Sequence, residues 1–208
     1  MPHTGYIPVE TMTSILKMQN FNNQFANLKI SFHFIANALI YDARESAVQY
    51  ALENKINWIL FIDSDMEVPE DIIAKLIKHQ KAIVAALAFK RVPDYDPCIY
   101  INTSDENEFP KYVPIDEWEE NTLLSVDAVG HGCVLINMEI FNFIEPPYYF
   151  PILSEDHTNS LGEDLAFCYK LKKANIPIFV DTSIQCGHIG KYTYNNQNFI
   201  DYKNTKKE

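Results

Sequence analysis

The stretch WILFIDSDMEVPEDII, residues 58–73, passes from five apolar residues directly into closely spaced carboxylates. An uninterrupted apolar run is typical of a strand buried on both faces, such as a central parallel strand. Asp63 and Asp65 follow the run with one residue between them, and in an extended chain their side chains would point to the same side. The stretch therefore predicts a buried strand that delivers two acids to one end of a sheet.

Two chemical interpretations of these acids remain open. Close carboxylates repel each other unless a cation or a proton lies between them. Carboxylate ligation that leaves positions for phosphate oxygens suits Mg²⁺ or Mn²⁺, so Asp63 and Asp65 are candidate metal ligands. Alternatively, the acids have no ligand and only stabilise the N-terminus of the following helix, with Asp65 as its cap. An EF-hand is excluded, because Val68 and Ala74 occupy the glycine and twelfth positions of that loop.

Strand and helix patterns alternate along the rest of the chain. Strands are predicted at residues 28–35, 58–62, 82–89 and 176–181, helices at residues 42–53, 69–79 and 160–175, and a strand followed by a short helix within residues 133–144. Asp42 with Glu45, and Ser160 with Glu163, have the spacing of a capping box. This alternation predicts an α/β fold, with a mostly parallel central sheet covered by helices on both faces. Ligands of such sheets bind beyond the carboxyl ends of the strands.

The domain organisation follows from where this regularity weakens. Residues 91–125 contain four prolines and two acidic stretches, which predicts loops and short strands. Residues 1–190 are expected to form a single catalytic-type domain, and residues 191–208 a polar C-terminal flap or tail.

Two further groups of polar residues are expected at the same edge of the sheet. Glu163 and Asp164 fall in the first turn of a predicted helix, where the helix dipole favours ionised carboxylates that could accept a proton. His188 lies between two glycines just after a predicted strand and could bind a metal. Helix capping and a structural histidine are the alternatives for these two groups.

Composition excludes several classes of function. A net charge of −11 argues against nucleic acid as a partner, because such surfaces need clustered Lys and Arg. The four cysteines form no C-x-x-C pair, which fits buried thiols in a reducing compartment. No apolar run approaches the roughly 20 residues of a transmembrane segment, so we expect a cytoplasmic protein. The glycines form no phosphate-binding loop, so a phosphorylated ligand would depend on a metal and on Arg44, Arg91 or Lys191.

An ordered set of motifs resembles a known family. The motifs are ARESAV (43–48), ILFIDSDMEVPEDII (59–73), GHGCVLI (130–136), GEDLAFCYKLKKANIPIFVD (162–181) and CGHIG (186–190). Together they resemble glycosyltransferases of the GT-A fold, in particular small cytosolic and viral members related to cellulose and chitin synthases. The resemblance implies transfer of a sugar from a UDP- or GDP-linked donor to a glycan or another hydroxyl acceptor, with Mn²⁺ or Mg²⁺. The acid pair Glu163-Asp164 favours inversion at the sugar, although the sequence does not fix the stereochemical outcome.

The resemblance also implies roles for individual residues. The metal site would contain Asp65 as a direct ligand, Asp63 toward the ribose or a metal-bound water, and His188. The catalytic base would be Asp164, with Glu163 as the second choice. Contacts to the nucleotide donor would come from Asp42, Arg44, Asp63, Gly130, His131, Gly132, Lys191 and Tyr192.

Two departures from that family limit what can be carried over. Its members begin with a strand that helps to form the base pocket, whereas only Met1 precedes Pro2 here, so that strand is expected to be missing or to lie upstream. The arginine-asparagine pair of the second motif is Arg44-Glu45 in this chain. Two other functions remain alternatives: a noncatalytic module that binds nucleotide sugars or glycans, and a nucleotidyltransferase.

Overall fold

A computed structural model describes residues 7–26, 28–105, 108–190 and 193–205. The helices within these ranges are α1 (Val9–Phe21), α2 (Ile40–Glu53), α3 (Ile72–Ile77), α4 (Glu163–Lys173) and α5 (Asn196–Thr205), with a π-helix at Asn22–Ala26 and a 3-10 helix at Met138–Asn142. The strands are β1 (Trp58–Ile62), β2 (Met66–Glu67), β3 (Ile83–Leu87), β4 (Ile99–Asn102), β5 (Tyr112–Pro114), β6 (Leu123–Val126), β7 (Ala128–Val129), β8 (Cys133–Asn137), β9 (Ile152–Leu153), β10 (Ser160–Leu161), β11 (Ile178–Gln185), β12 (Gly187–Ile189) and β13 (Thr193–Tyr194).

The central sheet has five strands in the order β1-β8-β3-β11-β6. The prediction of a mostly parallel sheet is wrong, because β3 and β11 form the one parallel pair in this sheet and the other three pairs are antiparallel. The hydrophobic patterns that identified the strands carry no information about strand direction. Since β8 is inserted antiparallel between β1 and β3, the strands β1, β3 and β11 still run in the same direction.

Helices cover both faces of this sheet, as predicted. Buried residues of α2, α4 and α5 pack on one face, and buried residues of α1 and α3 pack on the other. The first face is represented by Val48, Phe167, Leu171 and Phe199, and the second by Ile15, Met18, Ile72 and Leu76. Alternate residues of β3 enter the two clusters, which is why all five of its residues are buried.

The strand β1 lies at an edge of the sheet, and the prediction of a central parallel strand is wrong. Its partner in the described structure is β8, and all five of its residues are half-buried. Ile59 and Phe61 contact one core cluster, whereas Leu60 and Ile62 contact the other. The apolar run therefore reflects contact with a helical layer on each face. It does not specify how many strands lie beside it.

Residues 28–35 form no strand in the described structure, contrary to the prediction. Phe32 and Phe34 remain 37% and 52% exposed, and their rings stack at 6.2 Å between centroids. Alternating hydrophobicity describes an extended segment, but a strand also needs a neighbour that completes its hydrogen bonds. In the described structure this segment has no strand partner, and a local sequence pattern carries no information about such partners.

The helix starts also differ from the predicted capping boxes. Helix α2 begins at Ile40 with Leu39 as its N-cap residue, so Asp42 lies in the first turn. The Glu45 carboxylate accepts hydrogen bonds from the backbone amides of Tyr148, at 2.7 Å, and Tyr149, at 3.0 Å. This carboxylate binds a distant loop, which the local spacing could not reveal.

The two other predicted starts shift in the same way. Helix α4 has Gly162 as its N-cap residue, and Ser160 belongs to β10. Helix α3 begins at Ile72, so Pro69 precedes it as part of a loop.

The C-terminal residues, expected to form a polar flap or tail, include strand β13 and helix α5. Phe199 of α5 is 4% exposed and contacts the rings of both Phe89 and Trp118, with centroid distances of 5.7 and 5.8 Å. This aromatic contact attaches α5 to the main core. Across the described ranges, no helix is both long enough and apolar enough to cross a membrane.

Candidate functional site

The predicted polar groups meet at one edge of the central sheet. The carboxyl ends of β1, β3 and β11 lie there because these three strands share a direction. The loop that enters β8 lies at the same edge, and the Asp63 amide donates to the Gly132 carbonyl at 2.9 Å. Strand β12 follows β11 and pairs with β2, which places His188 opposite Met66.

Asp63 begins a tight turn, and Asp65 lies within it. The Met66 amide donates to the Asp63 carbonyl at 3.1 Å, so the segment is not extended as predicted. Each carboxylate pairs with a different arginine: Asp63 with Arg44 at 3.0 Å and Asp65 with Arg91 at 2.8 Å. Separate cationic partners reduce the repulsion that two close carboxylates would otherwise experience.

Arg44 joins three segments at the centre of this region. The side chain comes from α2 and is buried, and its Nη1 donates to the His131 carbonyl at 3.0 Å. Its Nη2 binds Asp63, and its Nε lies 3.5 Å from Glu163 Oε1. Burial alone would lower the pKa of Arg44, but the surrounding acidic groups raise it above its ordinary value. Arg44 is therefore a buried cation that holds these acidic segments together.

Glu163 and Asp164 lie in the first turn of α4, as predicted. Asp164 Oδ1 accepts from the Leu165 amide at 2.7 Å, and Oδ2 lies 3.7 Å from the position of a Cβ added at Gly130. Burial raises the pKa of both carboxyls above their ordinary values despite the nearby positive charge of Arg44. The sequence suggested that the helix dipole would keep these carboxylates ionised, but burial has the larger effect on their pKa. A raised pKa makes each carboxylate a stronger base once it is ionised.

The two glycines of the segment Gly130–Gly132 leave little space for a side chain. A Cβ added at Gly130 would lie 3.0 Å from Cβ of Cys98, and one added at Gly132 would lie 3.3 Å from Sδ of Met66. The His131 side chain is buried against Tyr149 and Phe167, and burial lowers its pKa well below the ordinary value. His131 is therefore a neutral core residue whose backbone carbonyl faces Arg44.

His188 is oriented as a metal ligand would need to be. Its Nδ1 lies 2.7 Å from the Phe89 carbonyl, which can only accept, so Nδ1 carries the proton. In the neutral imidazole, Nε2 then has a free lone pair, and it lies 3.5 Å from Asp65 Oδ2. Such a hydrogen bond to the second nitrogen is common for metal-binding histidines. Asp65 and His188 therefore fit a divalent cation.

The electrostatics of Asp65 agree with this assignment. Burial would raise the pKa of Asp65, but the neighbouring His188 imidazole and the charge of Arg91 lower it below its ordinary value. In the part of the chain that the structure describes, no three His, Cys, Asp or Glu side chains lie close enough to form a complete metal site. A cation bound by Asp65 and His188 would need further ligands from a bound molecule or from water.

The remaining predicted contacts are not brought into this group. Asp42 is exposed on α2 and makes no hydrogen bond or ion pair with the other described site residues. Lys191 and Tyr192 lie outside the described residues. The Phe89 carbonyl was not predicted, and the sequence contains no signal for it, because its role depends on the meeting of the chain after β3 with β12.

A search of curated proteins found no match. The Anp1 family model matches residues 18–121, which is half of the chain and includes α2, β1 and the Asp63-Asp65 turn. The chain belongs to the Anp1 family. The suggested relation to cellulose and chitin synthases gains no support from these comparisons.

Solved structures are similar to this Anp1-family chain in fold. The crystal structure of A197 from STIV aligns with a TM-score of 0.60 at 18% identity, over 91% of this chain and 83% of that chain. A crystal structure of GalNAc-T7 with UDP, GalNAc and Mn²⁺ aligns with a TM-score of 0.50 at 18% identity, over 84% of this chain and 34% of that chain. These similarities confirm the predicted GT-A fold.

Proposed function

We propose that this protein is a glycosyltransferase that moves a sugar from a UDP- or GDP-linked donor to a saccharide or another hydroxyl acceptor. The observation that carries the proposal is the position of Asp65 and His188. The two residues face each other at the same sheet edge as the acid pair Glu163 and Asp164. Membership of the Anp1 family and the GT-A fold support it.

Asp65 and His188 would hold Mn²⁺ or Mg²⁺, with Asp63 directed toward the donor ribose or a metal-bound water. A divalent cation at this position supplies Lewis-acid stabilisation of the negative charge that develops on the leaving diphosphate. The GalNAc-T7 structure contains UDP and Mn²⁺, which supports testing the same ligand classes here. Arg44 holds Asp63 in place through its buried ion pair.

Asp164 is the proposed base that accepts the proton of the acceptor hydroxyl. Its Oδ2 faces the backbone at Gly130, and Asp164 makes no ion pair within 4.0 Å among the described residues. Glu163 instead lies beside Arg44, which makes it the second choice. Direct attack by a hydroxyl that Asp164 deprotonates would invert the configuration at the anomeric carbon. We propose this outcome.

The donor would lie along the Gly130–Gly132 segment. Its tight packing against Cys98 and Met66 fixes the backbone beside the acid pair. Asp42 from α2, together with Lys191 and Tyr192, completes the proposed direct contacts to the donor. Arg44 acts through its hold on Asp63 and on the His131 carbonyl, because the guanidinium itself is buried.

Calorimetric titration tests the donor site. UDP, GDP and the corresponding nucleotide sugars are titrated with Mn²⁺ or with EDTA into the wild type, Asp65→Asn and Glu67→Gln. Glu67 is an exposed residue two positions further on, so its substitution is a matched control. We expect one nucleotide to bind the wild type and the control only with Mn²⁺, and not to bind Asp65→Asn. A wild type that binds no donor would overturn the proposal.

Product analysis tests the catalytic part. The bound nucleotide sugar is incubated with a panel of saccharide acceptors, and the products are examined by NMR. Transfer with an inverted anomeric configuration supports the proposed role of Asp164. Binding without transfer to any acceptor or to water would favour the alternative of a noncatalytic binding module.

A further inference from the structure

Arg91 contacts the proposed metal-binding carboxylate directly. It lies two residues after Phe89, whose carbonyl orients His188. Its Nη1 is 2.8 Å from Asp65 Oδ2 and donates to the Ile189 carbonyl at 3.1 Å. The Oδ2 atom that binds Arg91 is also the one that faces His188 Nε2. Arg91 therefore places a positive charge at the position where a divalent cation is expected.

The two arginines of this region differ in how easily they can move. The Arg44 side chain is 5% exposed and has carboxylate partners on two segments, so its displacement would leave buried charges without partners. The Arg91 side chain is 45% exposed, and exposed ion pairs contribute little to stability. Asp65 can therefore exchange its cationic partner, whereas Asp63 is held by a fixed one.

We propose that Arg91 neutralises Asp65 in the donor-free protein and moves onto the donor diphosphate when a divalent cation binds Asp65 and His188. This inference rests on the proposed function. Arg91 and a metal ion at the same carboxylate oxygen would repel each other, so metal binding favours release of the guanidinium. A guanidinium matches phosphate oxygens through paired hydrogen bonds. The released Arg91 would bind an anion that a chain with a net charge of −11 otherwise repels.

The exchange predicts effects of opposite sign on two ligands. In Arg91→Met, Mn²⁺ alone should bind several-fold more tightly than in the wild type, because its competitor for Asp65 is gone. With saturating Mn²⁺, UDP or GDP should bind about tenfold more weakly, because a charged hydrogen-bonding partner is lost. UMP or GMP, which has a single phosphate, should lose less affinity.

Matched variants separate this effect from a general change in charge. Lys90→Met removes the adjacent positive charge, whose described partner is Asp96 at 3.1 Å, and it should alter neither affinity appreciably. Arg91→Lys keeps the charge but loses the paired geometry, so it should weaken diphosphate binding less than Arg91→Met. Circular dichroism melting confirms that each variant is folded before the calorimetric titrations.

The results distinguish failure of this inference from failure of the proposed function. If the wild type binds Mn²⁺ and a nucleoside diphosphate but Arg91→Met matches it for both, the exchange is overturned and the donor site stands. If diphosphate binding weakens but Mn²⁺ alone does not bind more tightly, Arg91 does not compete for Asp65 and the exchange is again overturned. If the wild type binds neither ligand, the proposed function and the inference both fail.

Discussion

Replacement of Arg44 by methionine tests whether the acidic edge of the sheet depends on one buried cation. The substitution keeps much of the side-chain volume but removes the partner of Asp63, the charge beside Glu163 and the donor to the His131 carbonyl. We expect the free energy of unfolding to fall substantially, because these acidic groups would remain partly buried without a counter-charge.

The structure allows the magnitude to be approximated. Removing one partner of a buried ion pair costs about 3–5 kcal/mol. The Asp63 side chain is 33% exposed and can regain water, whereas the Glu163 side chain is 16% exposed. We therefore expect a loss near the lower limit, about 3 kcal/mol at pH 7.5. For a chain of this size, this loss lowers Tm by about 6–12 °C.

The loss should depend on pH in a defined direction. Burial already raises the pKa of Glu163 and of Asp164, and removal of Arg44 should raise both further. A carboxyl whose folded pKa exceeds its unfolded pKa stabilises the fold at low pH, and this contribution is lost as the pH rises through the folded pKa. The deficit of Arg44→Met should therefore shrink by about 1 kcal/mol between pH 7.5 and pH 5.

Urea unfolding of the wild type and Arg44→Met at both pH values measures these quantities. Lys75→Met is the control, because Lys75 forms an exposed ion pair of similar length with Asp71, at 2.9 Å, within one helical region. Its loss should be about 0.5 kcal/mol or less. A deficit for Arg44→Met as small as that of the control, or one that does not change with pH, would refute the assignment of Arg44 as the central buried cation.

Three further predictions address other parts of the molecule. Asp164→Asn should lower kcat for sugar transfer by about 10²–10⁴-fold, as expected for loss of a general base. The control Asp201→Asn on α5 should leave kcat unchanged. Equal kcat values for the two variants would show that Asp164 is not the base. Asp181 accepts from Ser183 and pairs with His79 at 2.7 Å, and although burial alone would raise the pKa of Asp181, these hydrogen bonds lower it below its ordinary value. The Asp181 carboxylate therefore contributes stability above its unfolded pKa, and this contribution is lost as the pH falls through the folded pKa. Asp181→Asn should lower the free energy of unfolding by about 1–3 kcal/mol at pH 7 and by progressively less below about pH 4. A cost measured by urea unfolding that does not change with pH would contradict this. Cys133, Cys168 and Cys186 are fully buried, and burial raises the pKa of Cys168 to about 12. Iodoacetamide at pH 8 should therefore label these three thiols only after unfolding. Rapid labelling of the native protein, detected by mass spectrometry, would show instead that this core opens.

The sequence was sufficient for the fold class and for several of its elements. The apolar segments at β3, β8 and β11 and the helix α4 were predicted because their hydrophobic patterns are long and unambiguous. The placement of the acid pair in the first turn of α4 was also predicted, because it depends only on local helix geometry. Helix α1 was not predicted, although Ile15 and Met18 of that helix are buried in the core.

Strand direction and partners were not determined locally. Strand β1 has the composition of a central strand but lies at an edge, and residues 28–35 alternate like a strand but have no described strand partner. The apparent capping residue Glu45 binds the amides of Tyr148 and Tyr149, about a hundred positions away. Each error arose where a local pattern was compatible with more than one long-range partner.

The sequence by itself therefore determined which residue types could do chemistry and roughly where the sheet would present them: two spaced aspartates after an apolar strand, an acid pair at a helix start and a histidine between glycines. Tertiary structure alone decided how these groups are paired, with Asp63 bound to the buried Arg44, Asp65 bound to the exposed Arg91 and His188 turned toward Asp65 by the Phe89 carbonyl. The physical reason is that residue type and local geometry are encoded in neighbouring positions. Burial, charge partners and histidine tautomer, in contrast, depend on segments that meet only when the sheet is assembled.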